Sequence, residues 1–198
     1  MKTLGLTGCV GMGKSACGRL LTALGAAVMD TDELARRVVA PGQPALAEVR
    51  ATFGPQVVGE DGKLQRDVLA QIVFADADAR KRLEAILHPR IREIWEAQLV
   101  AWRAEGQPLA VVVIPLLFET QAETAFDRVI CVACSAATQR ERLRARGWTE
   151  AQLSQRISAQ LPVEEKLLRS HHVIWTEGSL EVHSQQLNRI LKCVESET

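Results

Sequence analysis

Apolar residues along the chain keep two different rhythms. Five short runs are apolar without alternation: "KTLGLT" (2–7), "AAVMD" (26–30), "LAVVVI" (109–114), "RVICVA" (128–133) and "HHVIW" (171–175). In the clearest of them, Thr3 and Thr7 apart, this is the pattern of strands covered on both faces, and it predicts a parallel sheet. Between the runs, apolar positions recur at helical spacing. "KSACGRLLTALG" carries Leu20, Leu21 and Leu24 and stops at Gly25, and residues 136–146 and 179–194 are similar amphipathic stretches. Strand and helix in alternation imply right-handed crossovers and a doubly wound α/β core.

The rhythm breaks once, between residues 30 and 109. Helical segments fill that stretch at 32–39, 44–54, 66–74, 77–87 and 88–106, with turn signals at Pro41-Gly42, Gly54-Pro55 and Asp61-Gly62. A helix start at His88 follows from Pro89, since proline suits the first helical position. The expected organisation is a single domain whose core comprises about residues 1–30 and 108–198, with a helical insertion over about 31–107 packed on it. Trp95, Leu99 and Trp102 recur at helical spacing within the insertion and predict core packing.

Charge narrows the partners. Twenty-four basic and twenty-four acidic side chains cancel over 198 residues, so no global field draws the chain to nucleic acid or to an anionic membrane. No apolar run approaches the ~18 residues of a spanning helix, and "MKTLGLTG" lacks a charged segment followed by an apolar signal core. A cytoplasmic location is expected, with a monomer as the simplest assembly. Five cysteines, an odd and sparse set, argue against a secreted disulfide framework. Cys131 and Cys134 spell C-x-x-C, but a three-residue offset on a strand points the two thiols to opposite faces.

The chemistry begins in "GLTGCVGMGKSA", residues 5–16, which fits two nucleotide grips. From Gly8 it reads G-x-x-x-x-G-K-[ST], a phosphate loop; from Gly11 it reads G-x-G-x-x-A, a dinucleotide fingerprint, with Asp30 and Asp32 near the distance of a ribose-binding acid. The dinucleotide reading leaves Lys14 and Ser15 without a task and starts four residues beyond the strand. The phosphate-loop reading uses everything: Gly8, Gly11 and Gly13 turn backbone amides toward phosphate oxygens, Lys14 reaches the outer phosphates, Ser15 supplies a hydroxyl for Mg²⁺, and the following helix adds its dipole. The nucleotide is therefore a triphosphate. Neither an N-K-x-D nor a D-x-x-G motif of GTPases occurs.

A kinase also needs a carboxylate within reach of the attacking hydroxyl. Asp32, at the end of the second strand, is the candidate base; capping of the helix "ELARRV" by Asp32 with Thr31 is the alternative from spacing. "TQRERLRARG" places Arg140, Arg142, Arg144 and Arg146 on one helix, with 142 and 146 sharing a face. Arginines over the site can neutralise the transferring phosphoryl group. Cys9 lies near a helix N-terminus, where a thiol pKa falls, and this predicts sensitivity to oxidation.

With these residues on the page, the chain resembles the dephospho-coenzyme A kinases. "GLTGCVGMGKS" is similar to their phosphate loop, "DTDELAR" to D-x-D-x-x-A-R, "HPRI" (88–91) to H-P-x-I, "IPLLFE" (114–119) to P-L-L-F-E and "RISAQ" (156–160) to R-I-x-x-Q, in matching order over about residues 2–185. The resemblance implies a P-loop kinase fold with a helical acceptor-binding insertion and a lid over about residues 136–165. It implies transfer of the ATP γ-phosphate to the ribose 3′-hydroxyl of dephospho-coenzyme A, with Mg²⁺. Asp32 is then the base; Lys14 and Arg142 join it in catalysis; Gly8, Gly11, Met12, Gly13, Lys14, Ser15, Ala16, Arg142 and Arg146 hold ATP; Arg36 and His88 help form the acceptor pocket.

This chain departs from the family pattern at several places. Cys9 stands for a glycine, Ala16 for a second hydroxyl, Val113 for an acid before I-P-L-L, and Trp175 and Thr176 for Asp and Asn in "HVIWTEGS". Without an acid at 113, metal coordination rests on Ser15, water and Asp32. Another nucleoside or nucleotide kinase, or an ATP-binding interaction protein that transfers nothing, are the alternatives.

Overall fold

All five unbroken apolar runs become strands in the computed structural model, which describes residues 1–196. They are β1 (Lys2–Thr7), β2 (Ala27–Asp30), β3 (Leu109–Val113), β4 (Arg128–Ala133) and β5 (His172–Trp175). Every pairing is parallel and the order is β2-β3-β1-β4-β5. β1 is thus central, with Lys2 opposite Leu109 on one side and Leu4 opposite Arg128 on the other. A strand around which the connections change direction marks the ligand end of an open parallel sheet.

Helices α1 (Lys14–Ala23) and α9 (Leu180–Ser196) cover one face. There Leu4, Leu6, Val111, Val113, Ile130, Val132 and Ile174 pack with Cys17, Leu21, Leu187, Ile190 and Val194. The intervening Val112, Val129 and Cys131 are buried as completely. Burial on both faces removes the reason for a polar residue at every second position, which is why these runs do not alternate.

The chain forms two compact units, residues 1–30 with residue 99 onward, and Thr31–Gln98. The second is helical: α2 (Thr31–Val38), α3 (Pro44–Phe53), α4 (Arg66–Ala75) and most of α5 (Ala77–Ala104). Its own core gathers Val38, Leu46, Val49, Phe53, Leu69, Val73 and Ile86.

Here the structure corrects the expected break at His88. One helix runs from Ala77 to Ala104 with Pro89 inside it. Proline offers no N–H to the carbonyl four residues back, a loss that ordinarily ends or kinks a helix. Apolar positions on both sides, Ile86 before it and Ile91 and Ile94 after it, belong to one cluster and carry the helix through. Arg90 also folds its guanidinium onto the Ile86 carbonyl. Trp95 and Leu99 are buried and Trp102 half-buried, consistent with packing.

In the first unit, α6 (Ala136–Arg144), α7 (Glu150–Ser158) and α8 (Val163–Arg169) follow β4.

Candidate active site

The phosphate-loop motif leaves the carboxyl end of β1 and ends where α1 begins. Its course is one that only glycine permits at two points. Gly8 has φ 141°, and a Cβ there would stand 2.3 Å from the Val132 carbonyl oxygen; Gly11 has φ 79°, and its Cβ would stand 2.8 Å from Leu143 Cγ. The loop is therefore pressed onto β4 and α6 by bare backbone. Gly13 follows as the residue before α1. Among the described residues, no protein acceptor takes the N–H of Gly11, Gly13 or Ser15. Unpartnered amides at a helix N-terminus are completed by an anion. Lys14 Nζ now donates to the carbonyls of Gly8 (2.7 Å) and Cys9 (3.1 Å), so its charge already lies over the loop.

What holds the loop comes from farther along the chain. The Thr176 hydroxyl, buried to 1% exposure, donates to the Met12 carbonyl at 2.9 Å. Arg142 Nη1 donates to that same hydroxyl at 2.9 Å and Nη2 to the Thr176 carbonyl at 2.5 Å. Gln139 Nε2 donates to the Val10 carbonyl (2.7 Å), and the Val10 N–H donates to Gln160 Oε1 (2.9 Å). Behind them Lys166, fully buried in α8, donates to the Pro115 carbonyl (2.7 Å) and to Glu119 (2.7 and 3.0 Å), which also accepts from the Leu161 N–H at 2.9 Å.

The arginines of α6 are sorted by direction. Arg142 turns to Thr176, whereas Arg140 and Arg144, four apart on another face, both pair with Glu150. Hydrogen bonding to Arg144 lowers the pKa of the exposed Glu150 carboxyl. Arg146 departs from the expected helical register. α6 ends at Arg144, and donation from Gly147 N–H to Arg144 O and from Trp148 N–H to Leu143 O closes it, leaving Arg146 in the closing turn, exposed.

The departures at 175 and 176, and Glu177 beside them, also acquire physical roles. Glu177 accepts from the Ser135 N–H (2.9 Å) and the Thr138 hydroxyl (2.7 Å) at the start of α6, and from the Trp175 indole (3.2 Å). Bonds from Ser135 and Thr138 hold its carboxyl down at about 2.

Cys9 behaves opposite to expectation. It is 3% exposed, with its Sγ 3.6 Å from the Leu161 carbonyl, and burial pushes the thiol pKa up despite Lys166 and Lys14 nearby. Helix-terminus stabilisation of a thiolate is outweighed by loss of water. Burial likewise raises Cys131 to about 11.

Asp32, Arg36 and His88 all belong to the helical unit. α2 begins at Thr31, so Asp32 lies inside its first turn rather than ahead of it, and Arg36 follows one turn later; both are exposed. His88 sits mid-helix in α5, half-buried, and burial lowers its pKa against an opposing pull from Glu84.

Of the contacts above, the sequence reading missed Gln139, Gln160, Thr176 and the Lys166–Glu119 pair as structural partners of the loop. One signal was available: Gln139 stands four residues before the buried Leu143, a polar side chain on an inward helix face.

A phosphate loop on the central strand of a five-stranded parallel sheet, gripped from behind by an arginine-bearing helix, defines a P-loop kinase. The fold is shared with shikimate kinase from Acinetobacter baumannii, 16% identical, with a TM-score of 0.54 over 100% of this chain and 95% of that one. The chain belongs to the dephospho-CoA kinase family, whose model, described as Dephospho-CoA kinase, matches residues 2–181. It is 44% identical over 192 residues to the dephospho-CoA kinase of Anaeromyxobacter dehalogenans, covering 96% of this chain and 91% of the relative. It is 46% identical to that of Moorella thermoacetica, covering 91% and 86%. A solved Thermus thermophilus protein is 35% identical, with a TM-score of 0.81 over 96% of both chains.

Proposed function

We propose that the chain transfers the γ-phosphoryl group of ATP to the ribose 3′-hydroxyl of dephospho-coenzyme A, giving coenzyme A and ADP. The observation that supports this reading most is the set of unpartnered loop amides with Lys14 folded over them, in a chain that matches the dephospho-CoA kinase model over residues 2–181.

In this mechanism the amides of Gly11, Gly13 and Ser15 donate their N–H groups to oxygens of the β-phosphate region, where the α1 dipole adds to the attraction. Lys14 exchanges its two carbonyl partners for phosphate oxygens. Arg142, already anchored one residue from Glu177, and Arg146 from the closing turn meet the charge that spreads over the transferring group. Asp32 accepts a hydrogen bond from the acceptor hydroxyl, aims it at phosphorus and takes its proton; Arg36 and His88 contact the acceptor. The donor set fits Mg²⁺, because the exposed Ser15 hydroxyl offers one hard oxygen and this ion ordinarily takes few protein ligands beside phosphates and waters. Held there by Ser15, the ion would supply positive charge to offset that of the outer phosphates.

The test is ADP release from ATP and Mg²⁺ with a panel of acceptors. Dephospho-coenzyme A is expected to stimulate it, with the new phosphate located on the ribose 3′ position of the product. Stimulation by other nucleosides or nucleotides only would reassign the acceptor. No stimulation by any acceptor would make the chain a nucleotide-binding protein without transferase activity.

A further inference from the structure

Val10 stands between two peptide groups whose contacts the motif does not explain. The carbonyl of Val10 accepts from Gln139 Nε2 at 2.7 Å and its N–H donates to Gln160 Oε1 at 2.9 Å, so one side-chain amide holds the Val10–Gly11 peptide by its carbonyl and another holds the Cys9–Val10 peptide by its N–H. The two glutamines reach them from different elements. Gln139 is 5% exposed on α6, and Gln160 lies two residues beyond α7 with its own N–H on the Ile157 carbonyl. α6 meets the loop twice more: Leu143 lies against Gly11, and Arg142 acts through Thr176 on Met12. Residues 139, 142 and 143, spaced as one helix face, thus address residues 10, 12 and 11 respectively.

The consequence is directional. A loop whose peptides must present N–H groups to phosphate fails if one peptide flips, because a flip turns an oxygen toward the anion. Gln139 and Gln160 each forbid this at one peptide: flipping Val10–Gly11 would set the Gly11 N–H against Gln139 Nε2, and flipping Cys9–Val10 would set the Cys9 carbonyl against Gln160 Oε1. We infer that Gln139 and Gln160 are positioning residues for phosphoryl transfer, fixing the two peptides on either side of Val10 so that the loop is set before the nucleotide arrives. Gln160 also ties the loop to the chain leaving α7, so the loop's order depends on where that segment rests. The inference rests on the transferase reading above.

Donor and acceptor roles differ at the two sites, and this provides the test. Kinetics with ATP and dephospho-coenzyme A are measured for Gln139→Met, Gln139→Glu, Gln160→Met and Gln160→Glu, with the thermal midpoint of each. Gln160→Met removes the acceptor, and kcat is expected to fall about tenfold, the scale of one lost hydrogen bond, with little change in KM for the acceptor. Gln160→Glu restores an acceptor and should recover most of that kcat while raising KM for ATP through its charge. At position 139 the order inverts: glutamate sets oxygen against the Val10 carbonyl and should be worse than methionine. Equal behaviour of Met and Glu at both positions, or an unchanged kcat in Gln160→Met, overturns the inference. Gln160 is half-buried, so its pair of variants decides the matter even if the buried 139 variants do not fold. Absence of acceptor-dependent turnover in the unsubstituted chain would instead refute the reaction.

Discussion

Arg142 and Thr176 stand 34 positions apart in sequence and share one hydroxyl: Nη1 donates to Thr176 Oγ1 at 2.9 Å while that oxygen donates onward to the Met12 carbonyl at 2.9 Å. An arginine proposed for phosphate chemistry is therefore held by the residue that holds the phosphate loop. Its rotamer is set before any substrate binds, which lowers the ordering cost of using it.

Thr176→Val tests that chain of contacts. The substitution keeps the shape but takes a donor from the Met12 carbonyl and an acceptor from Arg142. Loss of about 1–2 kcal/mol of stability is expected, together with a rise in KM for ATP of about tenfold, read from denaturant unfolding and initial rates.

For Asp32→Asn, nucleotide affinity should persist while kcat drops about 100-fold or more, in line with a removed general base. Calorimetric titration of ATP beside steady-state turnover separates the two. Full turnover would leave Asp32 with only the dipole interaction of a first-turn acid.

Lys166→Met should be costly. Lys166 has no exposed surface and Glu119 is 20% exposed, so removing the ammonium strands a carboxylate that also anchors Leu161. About 3 kcal/mol of destabilisation is expected, and Lys166→Met with Glu119→Gln should be less damaging than the single change. Urea midpoints of the three proteins give the comparison.

Glu177 makes a pH-dependent contribution whose sign is fixed. Its pKa is about 2 in the folded chain against an ordinary 4.5, so its contribution is complete above about 4.5 and fades as pH falls toward 2. The thermal midpoint of Glu177→Gln should lie below that of the parent at pH 7, and the gap should close across that acid window. A gap independent of pH would show that the hydrogen bonds, rather than the charge, carry the effect.

His183 is 4% exposed and neither ring nitrogen has a hydrogen-bond partner among the described residues. Replacing it with phenylalanine, similar in shape and without polar atoms, should raise stability by about 1 kcal/mol, seen as a higher thermal midpoint with unaltered KM values.

Much of this molecule is legible in its sequence, for identifiable reasons. The strands announce themselves because two-sided burial leaves an unbroken apolar run, as in "LAVVV" and "RVICVA". The loop announces itself because amide geometry demands glycine at positions 8, 11 and 13. The continuity of α5 through Pro89 was not legible, because local propensity at one residue lost to apolar contacts on both sides of it. Which arginine faces inward was likewise hidden, since Arg140, Arg142 and Arg144 are chemically alike and only Glu150 and Thr176 tell them apart. The amides of Gln139 and Gln160 reach Val10 from 129 and 150 positions away, a relation no local pattern encodes.

Strand order carries a further consequence for biosynthesis. The central strand is made first of the five, yet its partners Leu109–Val113 and Arg128–Ala133 follow only after the whole of segment 31–98. The segment 31–98, contiguous and equipped with its own apolar centre, emerges whole in the interval. The helical segment is thus complete in sequence before either strand that flanks β1 has been made, so the sheet that carries the phosphate loop can close around β1 only after that segment.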